Sequence, residues 1–242
     1  LETNTVYVPE QLEVNKNVEC NFGTIDISSF EQKQQTVQRK LILVATYEDF
    51  IVRSRLKVYT LEKSTLDLLT SQGLNPFNYF KINDPLVSNN DQSVRSEQLL
   101  QSPGVLSLTL VDAQPLTEGP SYLLGVELFN DKLRWNGKIS KLKSLKLFLP
   151  QGFSAEEASC PDFVKKESNI LELSPLTLKE INNDKDVDKA RFFCDFQIDS
   201  SALTNALDFT LIQAEAEFDY DFEAYAAATI SNTVLSNTVN IP

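Results

Sequence analysis

Residues 214–224 read Ala-Glu-Ala-Glu-Phe-Asp-Tyr-Asp-Phe-Glu-Ala. Apolar Ala214, Ala216, Phe218, Tyr220, Phe222 and Ala224 alternate with acidic Glu215, Glu217, Asp219, Asp221 and Glu223. Successive side chains of a β-strand point to opposite faces, whereas a helix would scatter both sets around its circumference. The stretch therefore reads as a strand with one aromatic face and one ladder of carboxylates. Phe218, Tyr220 and Phe222 are expected to be buried, and the acids to face solvent or a basic neighbour.

The rest of the chain follows the same logic. Val, Ile, Leu, Thr, Phe and Tyr dominate the periodic segments, which favours strands. Strands are expected over 41–47 and 52–59, then over 105–111, 122–129, 142–149, 171–181, 190–198 and from about 209 to 225. Shorter β-prone stretches lie at 5–8, 12–18 and 23–27. In the 52–59 segment Val52, Ser54, Leu56 and Val58 alternate with Arg53, Arg55, Lys57 and Tyr59, so one face carries a basic stripe. Residues 64–69 suit a short helix, with Ser64 as its N-cap and Gly73 as its stop. Trp135-Asn136-Gly137-Lys138 suits a hairpin-like turn. Residues 85–102 are polar and bracketed by Pro85 and Pro103, which suggests a linker or long surface loop. Many short strands separated by turn signals about every ten residues point to sandwiches. The expected fold is all-β: two Ig-like antiparallel β-sandwich domains in tandem, residues 1–84 and 103–242.

Composition narrows the function classes. With 42% hydrophobic residues in 242, the chain can bury a sizeable core. A net charge of −12 repels phosphate backbones and anionic headgroups, so neither nucleic acid nor an acidic membrane surface is an expected partner. No apolar run approaches the roughly 18 residues that span a bilayer. The chain contains no Met, so Leu1 is expected to be a processed or trimmed end. It contains no His, which removes His-based triads, His metal sites and the commonest general base. No Asn-x-Ser/Thr sequence occurs, so Asn-linked glycosylation is not expected. Three cysteines leave one over. Cys160 and Cys194 lie in the same half and can bridge, which implies an oxidising compartment, leaving Cys20 free or paired between molecules. Three buried thiols is the alternative.

The acidic ladder has three readings. It is a solvated outer face, or it pairs with a basic surface such as Arg53, Arg55 and Lys57, within one chain or between copies. The third reading is Ca²⁺ binding, but carboxylates two apart on a flat strand seldom converge on one ion. Asp184, Asp186 and Asp188 match the first three ligand spacings of an EF-hand. Lys189 stands where Gly is needed and Asp195 where Glu is needed, so a solvated hairpin loop is the better reading. No motif selects a glycosidase carboxylate pair from the 34 acids. Trp135 beside a turn reads as a strand-end core residue before a carbohydrate platform. No catalytic residue, metal site or cofactor is assigned, and the protein is not expected to be an enzyme.

The ends carry strand composition: Thr3, Asn4, Thr5, Val6, Tyr7 and Val8 at one, Thr233, Val234, Leu235, Val239 and Ile241 at the other. A terminal strand completes its own sheet or adds to a neighbour's by β-augmentation, and the latter propagates head to tail.

The second half runs Pro103-Gly104-Val105-Leu106-Ser107-Leu108, then Gln114-Pro115 and the 122–130 strand. It continues through Leu147-Phe148-Leu149-Pro150, Cys160-x-x-Phe163, Phe193-Cys194-Asp195-Phe196 and the 216–220 aromatic strand. Over residues 40–235 this resembles the secreted Ig-like β-sandwich proteins of the archaeal cell surface. The resemblance implies an exported, cell-surface role and a Cys160–Cys194 bridge, and it supplies no catalytic residues. By analogy with archaeal surface filaments of β-rich subunits, it suggests assembly by strand donation. The expected function is thus an extracellular or cell-surface structural protein that self-assembles, a pilus-like filament subunit whose partners are its own copies. The alternative is a monomeric surface-displayed adhesin or binding module.

Overall fold

The computed structural model describes residues 36–231, apart from 89, 100 and 184–186. The end segments that contain Thr3 to Val8 and Thr233 to Ile241, the β-prone stretches at 5–8, 12–18 and 23–27, Cys20, Asp184 and Asp186 lie outside the described residues.

In chain order the elements are β1 (Thr36–Thr60), α1 (Lys63–Ser71), α2 (Pro76–Tyr79), β2 (Val87–Ser88), β3 (Ser93–Val94), β4 (Glu97–Gln98) and β5 (Gly104–Leu110). They continue with β6 (Ser121–Asn130), β7 (Gly137–Phe148), β8 (Phe153–Ser154), β9 (Phe163–Glu167), β10 (Ile170–Leu173), α3 (Pro175–Asn183), β11 (Lys189–Ile198) and β12 (Asp208–Ser231). Strands dominate and their pairing is antiparallel, as the all-β reading requires. A six-stranded sheet has the order β4-β1-β12-β7-β10-β9, and a four-stranded sheet the order β5-β6-β11-β8.

The chain divides into two compact units, residues 1–41 with 225–242, and Ile42–Ala224. These units are drawn differently from the expected segments 1–84, 85–102 and 103–242. The reason is the sheet order: β1, from the first expected segment, neighbours β12, from the last. The 85–102 stretch carries β2, β3 and β4, and Ser54 and Arg55 of β1 pair with Gln98 and Glu97 of β4. In the first unit the described residues are 36–41 and 225–231, the outer ends of β1 and β12.

In the Ile42–Ala224 unit both sheets contribute to one core. Leu106, Leu124, Val126, Leu128, Phe192 and Phe196 come from the four-stranded sheet, and Val52, Leu56, Leu145, Leu147, Phe218 and Tyr220 from the six-stranded one. Contact between them is direct at Gly104, where a Cβ would stand 2.6 Å from the Phe218 ring. Each strand that alternates in sequence also alternates in burial. Tyr122, Leu124, Val126 and Leu128 point inward from β6, as do Ala190, Phe192, Cys194, Phe196 and Ile198 from β11. At the start of β6 the Tyr122 hydroxyl donates to the Thr117 carbonyl at 2.9 Å and accepts from the Thr117 amide at 2.9 Å.

Several local expectations are corrected. The strand expected over 171–181 ends at Leu173 and gives way to α3. Ser174 caps that helix, its Oγ accepting from the Thr177 amide at 3.1 Å, and Pro175 follows it with φ already set for a first turn. Ser64 does not cap α1; the N-cap is Glu62, and Ser64 lies inside the first turn. Residues 135–138 do not make a tight hairpin, because the 131–136 turn leads from β6 in one sheet to β7 in the other. The strands expected at 41–47 and 52–59 are one strand, β1, with Asp49 at φ 61° inside it.

Candidate functional site

The candidate site is the charged outer face of the six-stranded sheet, where β12 lies between β1 and β7. Ala214, Ala216, Phe218 and Tyr220 of β12 are buried, Phe222 is half-buried against the core, and the intervening acids lie on the opposite face. Strand periodicity thus places the ladder as expected. Its neighbours decide what it does.

On the β7 side the neighbour is basic. Glu215 stands opposite Lys146, Asp219 opposite Lys141 and Asp221 opposite Lys138. Sequence reading missed these lysines because β7 does not alternate simply: its apolar residues Ile139, Leu142 and Leu145 are spaced by three. The ladder absorbs the misfit. Glu217 faces Ser144 while Phe218 faces Leu142, and Asp219 faces Lys141 while Tyr220 faces Ile139. Each shift leaves one extra residue in β7, first Lys143 and then Ser140. An extra residue of this kind re-aims a side chain without moving the apolar ones out of the core. Lys143 reaches Asp219 at 2.6 Å and also pairs with Asp49 of β1. Hydrogen bonds that it donates to Asp219 and then to Asp49 hold the Lys143 ammonium above its ordinary pKa. Lys143 in turn holds the Asp49 carboxyl below its ordinary range, against a smaller opposing effect of burial.

On the β1 side the contacts run in antiparallel order. Arg53 donates to Glu215 at 2.6 Å, the Asp49 amide to Asp219 at 3.2 Å, and the Thr46 hydroxyl to Asp221 at 2.8 Å. The Glu223 amide donates to the Asn136 carbonyl at 3.0 Å. Of the basic stripe, Arg53 alone meets the acidic ladder. Arg55 pairs with Glu97 at 2.7 Å, and Lys57 with Asp84 at 2.5 Å. Burial raises the Asp84 carboxyl, but Lys57, the Leu86 amide and the Tyr59 hydroxyl outweigh it and hold the group below its ordinary value. Burial, then the Asp84 hydrogen bond, pushes the Tyr59 hydroxyl up. Nothing in the sequence marks Glu97 or Asp84 as partners, since both pairs close over tens of residues.

Chemically this face is a set of ion pairs closed within one chain. Among the described residues no group of three or more Cys, Asp or Glu side chains could hold a metal ion. Of the EF-hand-like run, Asp188 pairs with Lys132 at 2.8 Å and Asp195 lies in β11. Trp135 packs half-buried against the core.

Cys160 and Cys194 are joined in a disulfide. Cys194 is an inward residue of β11 and Cys160 follows the 3₁₀ turn Glu157–Ser159, so the bond pins that turn to the strand. The partner strands of β11 differ in extent. β6 pairs with it from Lys189 to Gln197, whereas β8 pairs only at Gln197 and Ile198. Two shallow clefts lie elsewhere on the Ile42–Ala224 unit. One, of about 570 Å³, is lined by Phe148, Leu149, Pro150, Asn169, Phe209, Thr210, Leu211 and Gln213. The other, of about 400 Å³, lies around Phe129, Asn130 and Leu133. No helix among the described residues is long and apolar enough to cross a membrane.

Neither the protein-family models nor the curated proteins contain a match to this chain.

Proposed function

We propose that this chain is an extracellular or cell-surface structural protein that self-assembles into a pilus-like filament, its copies joined by terminal-strand donation. The observation that carries the reading is the second edge of β11, which among the described residues pairs with β8 at Gln197 and Ile198 alone. A strand edge with unused backbone groups accepts an incoming strand by β-augmentation. Lys189 and Arg191 of β11 pair with Glu127 on the β6 side, away from this edge. Val6, Val8, Val234, Val239 and Ile241 supply apolar side chains to a donated strand. The Cys160–Cys194 bond supports an oxidising, extracytoplasmic setting. The Tyr122–Thr117 hydrogen bonds resemble the tyrosine corner of Ig-like domains and support a sandwich architecture for the Ile42–Ala224 unit.

The test is electron microscopy and sedimentation of the full chain beside variants lacking residues 3–8 or 233–241. Filaments from the full chain that one deletion abolishes, with folding retained, are expected. A full chain that stays monomeric at high concentration, or filaments indifferent to both deletions, sinks the strand-donation reading.

A further inference from the structure

Among the described residues three side-chain polar atoms are buried without a hydrogen-bond partner: Tyr220 Oη, Asn130 Oδ1 and Glu118 Oε2. Such atoms are rare, because an unpaired buried group forfeits the bonds that it made to water. The first two flank Gly137. Asn130 ends β6 and is 7% exposed, and its Nδ2 donates to the Gly137 carbonyl at 2.7 Å. Tyr220 of β12 is 1% exposed, and a Cβ on Gly137 would stand 2.8 Å from its ring carbon Cε1. Burial raises the Tyr220 pKa, and the charges of Asp131 and then Glu223 raise it further. The hydroxyl therefore keeps its proton at neutral pH, and it lies within the field of Asp131, the residue after Asn130. The orientation of Asn130 is fixed, since turning its amide over would set Oδ1 against the Gly137 carbonyl, oxygen to oxygen. Its backbone is already spent: the amide donates to the Asp188 carbonyl at 3.0 Å, and the carbonyl accepts from the Lys132 amide at 2.9 Å. One buried donor and one buried acceptor thus stand at the same glycine, and they do not bond to each other.

We infer that a water molecule is bound beside Gly137, where it accepts from the Tyr220 hydroxyl, donates to Asn130 Oδ1, and ties the end of β6 and the start of β7 to β12. Buried water settles where two to four polar groups converge, and it satisfies a donor and an acceptor at once. Gly137 supplies the room, since a side chain there would enter the space beside the Tyr220 ring. The Asp131 carboxylate, 15% exposed and 3.6 Å from Arg134 through Oδ2, is the acceptor nearest in the chain for the second hydrogen of the water. A neutral ligand suits these donors better than a metal ion. Asn130 and Tyr220 offer one uncharged oxygen each, and among the described residues no group of three or more carboxylates or thiols could hold a cation. The site is independent of the filament reading: it belongs to the fold of the single chain.

Tyr220→Phe in the full chain tests this, because a bridged and an orphaned hydroxyl differ in the sign of the effect. Removing a hydroxyl bonded to a held water is expected to raise the unfolding equilibrium constant about fivefold in denaturant titrations. Removing an orphaned hydroxyl would leave that constant unchanged or lower it. In an Asn130→Ala background the effect of Tyr220→Phe is expected to shrink, since the water has lost its other holder. NMR of the wild type supplies the direct readout, a cross-relaxation peak between water and the Tyr220 hydroxyl proton with the sign of a long-lived complex. A metal chelator is expected to leave the melting temperature where it was. A Tyr220→Phe variant as stable as the wild type, an undiminished effect in the Asn130→Ala background, or a missing cross-peak overturns the inference. So does a chelator that lowers the melting temperature, which would put a cation in place of the water. If Asn130→Ala does not fold, Tyr220→Phe and the cross-peak still decide.

Discussion

The β6–β11 and β7–β12 pairs are both antiparallel and both bury alternate residues of one strand. The first keeps its register from Lys189–Phe129 to Gln197–Ser121; the second shifts twice within a similar span. The difference lies in the partner strands. β6 spaces Tyr122, Leu124, Val126 and Leu128 by two, as a strand requires, and needs no correction. β7 spaces Ile139, Leu142 and Leu145 by three. On a regular strand that spacing would turn alternate apolar side chains to the outer face. Two extra residues restore them to the core, and one of these, Lys143, becomes the cation that joins Asp219 to Asp49. An irregular apolar spacing thus becomes a charged cross-link among three strands.

The largest effect expected from this contrast is in the core beneath β12. Phe218→Ala removes a fully buried ring and should cost about 3–5 kcal/mol. Phe193→Ala, on the outer face of β11 and 44% exposed, should cost no more than about 1 kcal/mol. Equal losses in denaturant unfolding would erase the distinction between inner and outer faces. Next comes the bond that pins β11. Replacing Cys160 and Cys194 together by Ala opens a loop with a sequence separation of 34 and should cost about 2–4 kcal/mol. A reducing agent should lower the wild-type melting temperature and leave the double variant unmoved.

Gly137 opens the shifted pair at φ 154°, and a Cβ there would lie 2.2 Å from the Asp221 carbonyl oxygen. Gly137→Ala should therefore destabilise by about 1–3 kcal/mol, while Gly125→Ala in the regular pair, where the nearest atom is 3.5 Å away, should be milder. The smallest effect is expected at the cross-link. Lys143→Met should cost about 0.2–1 kcal/mol, since the pairs are partly exposed and screened. Its pH dependence is the sharper signature. The Lys143 pKa is raised, so its contribution is full below the ordinary value of 10.5 and fades as pH rises past it. The Asp49 pKa is lowered, so its contribution is present above 3.8 and fades as pH falls below it. The difference between wild type and Lys143→Met in thermal melts should be flat between those limits and shrink beyond both. A difference that grows at acid pH would mean that Lys143 does not act through these carboxylates.

Legibility in the sequence followed the range of the interaction. The inward faces of β6, β11 and β12 were readable because a period of two involves only neighbours in the chain. The helix α3 was not read, although Ser174-Pro175 is a start signal, because the apolar spacing of 171–181 suggested a continuing strand. The partners of Arg55 and Lys57 were not readable either. Glu97 and Asp84 meet them only because the 85–102 stretch folds back along β1.

The sequence by itself determined that residues 214–224 form a strand with buried aromatics and an outward row of acids. It did so because side-chain direction in a strand is a property of the backbone alone. What those acids face was decided only by tertiary structure. The order β1-β12-β7 sets Arg53 on one side of the ladder and Lys143 on the other. Strand order depends on which hydrophobic faces close a common core, and those faces lie far apart in the chain.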